Sequence, residues 1–376
     1  MNTHSDTQLL LYSARLQLEE GQQDSALAVL QTCHCEEERQ QQECAYLSGW
    51  AYVARRQWDD AQRVLFPMLD EETQAWEQGF QLERERIAYF LLCLGSVAST
   101  LTLYEDASLH FASCLKLLHD RRIHLPGVRI KARYSLGTVS LLKGQPEVAI
   151  QNYTDALKLC QHYQNVDAPA QIYHGLCEAY QATGAYELAF EMGSTSLQLY
   201  QQRADRQKCA SLHQALGRIC FQLENYQDAT KHYDESLQTA MSINDTALTT
   251  MNYALLAELR LAERRLGEAR EYSQLALEHV EQLRSPFMQS KAYAALGKVV
   301  HEEALHAPNE ESRLKLLEAA TDYFQRAIEY LKQIGASREI ADLYSLLAQT
   351  LELLGREEEA LLCWRSGFEV LQEHKA

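Results

Sequence analysis

The sequence predicts an all-α protein, a solenoid of about nine stacked helix pairs. Three observations carry this. The chain of 376 residues is 46% apolar and has only 6 prolines and 16 glycines, which suits long helices around a sizeable core. An alanine recurs early in each second helix, at Ala26, Ala61, Ala107, Ala149, Ala189, Ala229, Ala269, Ala320 and Ala360. From Ala149 to Ala269 each step is 40 residues; the next is 51, or 40 plus an insertion of 11, and the last is 40 again. The earlier steps are 35, 46 and 42. Such a period marks a repeat array, whose core grows with the number of units, so length alone does not imply separate domains. Third, turn residues break one apolar helical pattern from the next, as Gly144 and Pro146 do after the pattern that holds Leu136 and Gly137.

The segment Val128 to His162 shows the unit most clearly. From Gly137, a second Gly follows at seven residues (Gly144), Ala at twelve (Ala149), an aromatic at sixteen (Tyr153) and Ala at nineteen (Ala156). With Leu136 ahead of Gly137, this spacing resembles the tetratricopeptide repeat. That resemblance implies a right-handed α-solenoid, one superhelical domain over residues 1–376 with units near 7–41, 42–87, 88–129, 130–169, 170–209, 210–249, 250–289, 290–340 and 341–376. The arrays it resembles are the long-period ones of bacterial peptide-sensing regulators and protein-binding adaptors.

Each unit has its own local reasons. A small residue stands where the two helices of a pair cross closely: Gly49, Gly95, Gly137, Cys177, Gly217, Ala257, Gly297 and Ala348. Bulk there overpacks the crossing. Gly21, Gly144, Gly184 and Gly355 suit the left-handed residue that ends a first helix, and Asn225 is expected in nearly the same place. Pro146 is expected to open a second helix, Pro169 and Pro286 first helices. Pro67 should end or kink the second helix of unit two, and Asp70 to Arg86 fits the period poorly. Unit eight takes the insertion: its first helix should run to Pro308, with Asn309 capping the next. Tyr173, Tyr253, Tyr293 and Tyr344 in first helices, and Phe111, Tyr153, Tyr233, Phe324 and Trp364 in second helices, read as aromatic wedges. The last unit is expected to end the array with a polar face that includes Glu357, Glu358, Glu359 and Glu373.

Composition excludes several function classes. The net charge of −17 repels phosphate backbones and speaks against direct nucleic-acid binding. No apolar run reaches membrane-spanning length, and the first residues lack a basic and apolar leader pattern. The ten cysteines form no regular disulfide framework, so a reducing cytoplasm is the simpler expectation. His301 and His306 in HEEALH are five apart and not the four that a zinc helix needs. Cys33, Cys35 and Cys44 match no zinc spacing; Cys33 to Cys35 reads as a linker. No phosphate loop and no nucleophile elbow occurs. The expectation is a non-enzyme without cofactor or metal.

In the resembled family the first helices line a concave groove. Their second, fifth and ninth places here give Tyr46, Trp50 and Tyr89 at the N-terminal side, with Ser96. Lys131, Tyr134, Thr138, Gln171, His174, Glu178, Gln214 and Arg218 follow in the middle, and Met251, Glu258, Lys291, Lys298, Ser345 and Gln349 at the far end. A local basic island, Arg121, Arg122, Arg129, Lys131 and Arg133, stands out in the acidic chain and is expected to steer an acidic segment of a partner. The expected function is a protein- or peptide-binding scaffold; the alternative is the ligand- or peptide-sensing part of a transcriptional or quorum-type regulator. The repeats begin near Gln8, which leaves no room ahead of them for a DNA-binding domain within this chain. A homo-oligomer is compatible with either.

Overall fold

The structure, a computed structural model, describes residues 3–35, 37–69, 83–119, 123–280, 283, 285–334 and 337–373. Among these the chain is all helical, in nine consecutive pairs. They are α1 (Thr3–Glu19) and α2 (Gln23–Thr32), α3 (Glu38–Ala54) and α4 (Trp58–Leu65), and α5 (Glu83–Thr100) and α6 (Tyr104–Leu117). Next come α7 (Pro126–Leu142) and α8 (Pro146–Tyr163), α9 (Pro169–Ala182) and α10 (Tyr186–Gln202), and α11 (Arg206–Gln222) and α12 (Tyr226–Ser242). The last are α13 (Thr246–Ala262) and α14 (Leu266–Val280), α15 (Pro286–Leu305) and α16 (Glu310–Lys332), and α17 (Ser337–Leu353) and α18 (Glu357–Glu373). No described helix is long and apolar enough to cross a membrane.

The 40-residue period has a simple content. Around α11 and α12, two helices of 17 residues alternate with links of three. First helices start one to five residues ahead of the unit boundaries expected above. Each three-residue link contains one left-handed residue. Gly21, Gly144, Gly184 and Gly355 supply it with φ between 70° and 77°. The chain then folds back onto the helix end, as where Gln145 N–H donates to Ser140 C=O at 2.9 Å. Asn225 does not take this place. Glu224 is the left-handed residue, at φ 57°, while Asn225 caps α12 by accepting from Asp228 N–H. An Asn side chain satisfies an orphan N–H better as an N-cap. Asp205 and Asp245, 40 apart, cap α11 and α13 in the same way.

Proline and insertion behave as expected. Pro146, Pro169 and Pro286 open helices. α4 stops at Leu65, and Pro67 sits in a 3₁₀ turn over Phe66–Met68. Asn309 caps the long α16, accepting from Ser312 N–H at 2.8 Å.

The repeated alanines are 0–2% exposed in all nine pairs. The glycines of the first helices have a specific use. A Cβ on Gly95 would lie 2.5 Å from the Phe111 ring, on Gly137 2.8 Å from Tyr153, on Gly217 2.6 Å from Tyr233 and on Gly297 2.7 Å from Phe324. The missing side chain thus makes room for the ring of the paired helix, sixteen residues on, or twenty-seven where the insertion intervenes. In pair two Leu65 takes the place of the ring on Gly49. Tyr153 is clasped twice, since a Cβ on Gly175 of the following pair would also lie 2.6 Å from its ring.

Pair nine departs from the pattern. Trp364 is 40% exposed and donates its Nε1–H to Glu352. Glu357, Glu358 and Glu359 are exposed as expected, but Leu361, Leu362 and Phe368 on the same helix are 62–70% exposed, so its open face is mixed and not polar alone.

The helices form two compact units, residues 1–192 and 193–376, with the division inside α10. In the first, α1, α3 and α6 are joined by polar contacts in the core. Tyr46 Oη lies 2.9 Å from His110 Nε2, and Arg15 pairs with Asp106. Burial pushes His110 down to about 4, so its ring is neutral at ordinary pH.

Candidate binding groove

First helices of the second unit repeat their register every 40 residues, so equivalent side chains form ladders across α11, α13 and α15. Gln214, Ala254 and Ala294 make one ladder, and Arg218, Glu258 and Lys298 another. Both face a cavity of about 570 Å³ lined by α11, α13, α15 and α17, with Leu331 of α16 at one side. Ala254 and Ala294 leave room, and Leu255, Leu343 and Leu346 give the cavity an apolar floor.

Its polar groups are arranged by helix. Arg218 is exposed on α11 and forms no ion pair among the described residues. Gln214 Nε2 reaches Asn252 Oδ1 at 3.4 Å. Lys298 pairs with Glu258 across neighbouring units, both about one third exposed. Lys291 Nζ stands 5.1 Å over the Phe287 ring, a cation–π contact that holds the ammonium beside the cavity. On α17 the lining adds Glu339 and Asp342. The cavity thus runs from a cationic side on α11 to an anionic side on α17, across an apolar floor.

Of the residues named from the sequence, the cavity brings together Gln214, Arg218, Lys291 and Lys298, with Met251 and Glu258. Sequence reasoning missed Ala254 and Ala294, although two alanines in line with Gln214 at the 40-residue step were a readable signal. It also missed Phe287, Glu339 and Asp342.

The other expected residues lie elsewhere. Tyr46 and Tyr89 are fully buried and cannot line an open groove. Trp50 packs edge-on against His110 at 5.2 Å. Tyr134 packs on Tyr153 at 5.6 Å, and Thr138 accepts from Tyr153 Oη–H at 3.1 Å. Gln171 is half-buried on α9; His174, also half-buried, lies 3.8 Å from the exposed Glu178. The basic island divides. Arg129 donates to Tyr163 Oη at 3.1 Å and Arg133 to Asn152 Oδ1 at 3.2 Å, so both turn toward α8 in their own pair. Lys131 is half-buried between them in sequence, and Arg121 and Arg122 lie outside the described residues.

Chemistry elsewhere is muted. His301 Nδ1 meets Thr350 Oγ1 at 2.9 Å, whereas His306 turns to its own Glu302 carbonyl. Cys33 to Cys35 form the link between α2 and α3, and burial pushes the Cys44 and Cys114 thiols up to about 12. Among the described residues no group of three or more His, Cys, Asp or Glu is placed to hold a metal ion.

The tetratricopeptide repeat family model matches residues 168–242, which span α9 to α12. Solved structures extend the likeness over the whole chain. The apo form of RapI is 14% identical with a TM-score of 0.63, covering 98% of each chain. The apo form of the quorum sensor NprR from B. thuringiensis is 16% identical with a TM-score of 0.60, covering 98% of this chain and 99% of that one. The Rap conjugation gene regulator of the plasmid pLS20, in complex with the Phr* peptide, is 11% identical with a TM-score of 0.55, covering 99% and 94%. At these identities the likeness is one of fold, an array of tetratricopeptide-type helix pairs. No curated protein matches the chain.

Proposed function

We propose that the groove over α11, α13, α15 and α17 binds an extended peptide segment, either a free peptide or part of a partner protein. One observation carries the reading: an apolar floor between opposed charges, built from one side-chain register repeated across successive helices. A peptide in extended form advances about 3.3 Å per residue. It can place apolar side chains on Leu255, Leu343 and Leu346 and still satisfy Gln214 and the flanking charges. Such a site favours a mixed-charge peptide over a purely acidic one. The basic island supports an acidic ligand less well, because Arg129 and Arg133 are engaged within their own pair.

A second reading, a peptide sensor within a regulator, is favoured by one comparison. A regulator with this fold is described in complex with a peptide. Both readings use the same groove and differ in what peptide binding causes.

The test is selection of binders from a random displayed-peptide library, followed by fluorescence anisotropy. Leu255→Arg and Arg218→Glu should each weaken a selected peptide at least tenfold, or about 1.4 kcal/mol, without lowering the melting temperature. Peptides that bind both variants as tightly as the unaltered protein would place the site elsewhere.

A further inference from the structure

The two ends of the array carry matching apolar stripes. In α1 the place of the first-helix glycine is held by Ala14, twelve residues before Ala26. Leu9, Tyr12 and Leu16 lie five before, two before and two after it, and they are 64%, 62% and 41% exposed. In later pairs these places lie on the side toward the preceding pair, although Leu255, Leu343 and Leu346 among them also line the cavity described above. Phe90, five before Gly95, stacks on Trp58 of α4 at 5.3 Å. Gly175, two before Cys177, lies against the Tyr153 ring of α8. The place two after, from Ala51 and Val97 onward, is at most 1% exposed in every later pair.

The last helix shows the other half of the same joint. One, four and eight residues after its alanine stand Leu361, Trp364 and Phe368, which are 70%, 40% and 62% exposed. In pair eight the same places hold Thr321, Phe324 and Ile328, all at most 4% exposed, with α17 packed on α16. α1 and α18 thus expose the two complementary surfaces that join successive pairs within the chain. Isolated exposed leucines are ordinary, but stripes of this size in register are not.

We propose that copies of this chain associate head to tail, α18 of one packing on α1 of the next. The occupant is a second copy because each stripe is already shaped for the other by the register that pairs them internally. The contact is heterologous, with different faces on the two sides, so the mass grows past two copies unless a ring closes. It is independent of the peptide groove.

Analytical ultracentrifugation of the full chain tests this with two variants. One carries Leu9→Glu and Tyr12→Glu, the other Leu361→Glu and Phe368→Glu. All four sites are exposed, so helicity should survive, and circular dichroism checks it. The unaltered chain should grow in mass with concentration. Each variant alone should sediment as the 43.0 kDa monomer. Their equimolar mixture should double in mass and stop, because each retains the face that the other lacks. An unaltered chain that stays monomeric, a variant that still self-associates, or a mixture that does not pair would each overturn the proposal. The first outcome would leave these faces to a different partner, and the second would point to a symmetric contact.

Discussion

Replacing Gly217 with Ala tests the packing logic directly. The new Cβ would stand 2.6 Å from two carbons of the Tyr233 ring, against an ordinary carbon–carbon contact of about 3.5–4.0 Å. The ring must retreat by about 1 Å, and at 1% exposure it has no free space to enter. Overpacking of this kind costs about 1–3 kcal/mol, while Ala in place of Gly within a helix returns about 1 kcal/mol. The net expectation is a loss of up to about 2 kcal/mol. Gly267→Ala is the control, since a Cβ there meets nothing within 4 Å; it should be neutral or stabilising. Pair seven suggests a rescue, because the same two register places hold Ala257 and Ser273, both fully buried. Gly217→Ala combined with Tyr233→Ser should therefore cost less than the two changes summed, with a coupling of about 1 kcal/mol or more. Urea unfolding followed by circular dichroism reads all four proteins. A stabilising Gly217→Ala, or strict additivity in the double variant, would refute the reasoning.

Three further outcomes are expected. Thr102 is a β-branched residue held at φ 63°, so Thr102→Gly should raise stability by about 1 kcal/mol, seen as a higher Tm. His110 is neutral when folded and titrates near 6.5 when unfolded, so the unfolded chain takes up the proton first as pH falls. The stability tied to it is whole above about pH 6.5 and declines toward pH 4, by up to about 3 kcal/mol; in His110→Gln the pH slope of urea midpoints over that window should flatten. Arg133→Glu should lower Tm by the equivalent of about 1–2 kcal/mol, because its bond to Asn152 is lost and a half-buried carboxylate takes its place, whereas a purely surface cation would leave Tm unchanged.

How much of this was legible depended on range. The glycine–aromatic spacing is local, within one pair, and Gly95, Gly137, Gly217 and Gly297 could be read from it. The groove residues Gln214, Arg218, Lys291 and Lys298 were legible because neighbouring pairs there share one register. Tyr46 and Tyr89 were misplaced by the same rule. Tyr46 is buried by His110, 64 residues away, in a network that Arg15 and Asp106 complete, and no periodicity shows such contacts. Asn225 was one place off because two roles favour the same residue type in adjacent positions, and backbone geometry chose the N-cap. The last helix misled because its acidic first turn was visible in the sequence, while the exposure of Leu361 and Phe368 is a matter of packing that the acidic run does not show.

The links around α11 and α12 are also interchangeable parts. Ala204 and Asn244 share the left-handed turn, and Asp205 and Asp245 share the cap that follows. Cutting out residues 206–245 would join Asp205 to Thr246, and the chain would meet there the same cap and the same turn that it meets now. The array can therefore change length only in whole steps of this period without a broken junction. Each step also slides Glu258 into the place of Arg218, so that a change in length rewrites the charge sequence of the groove.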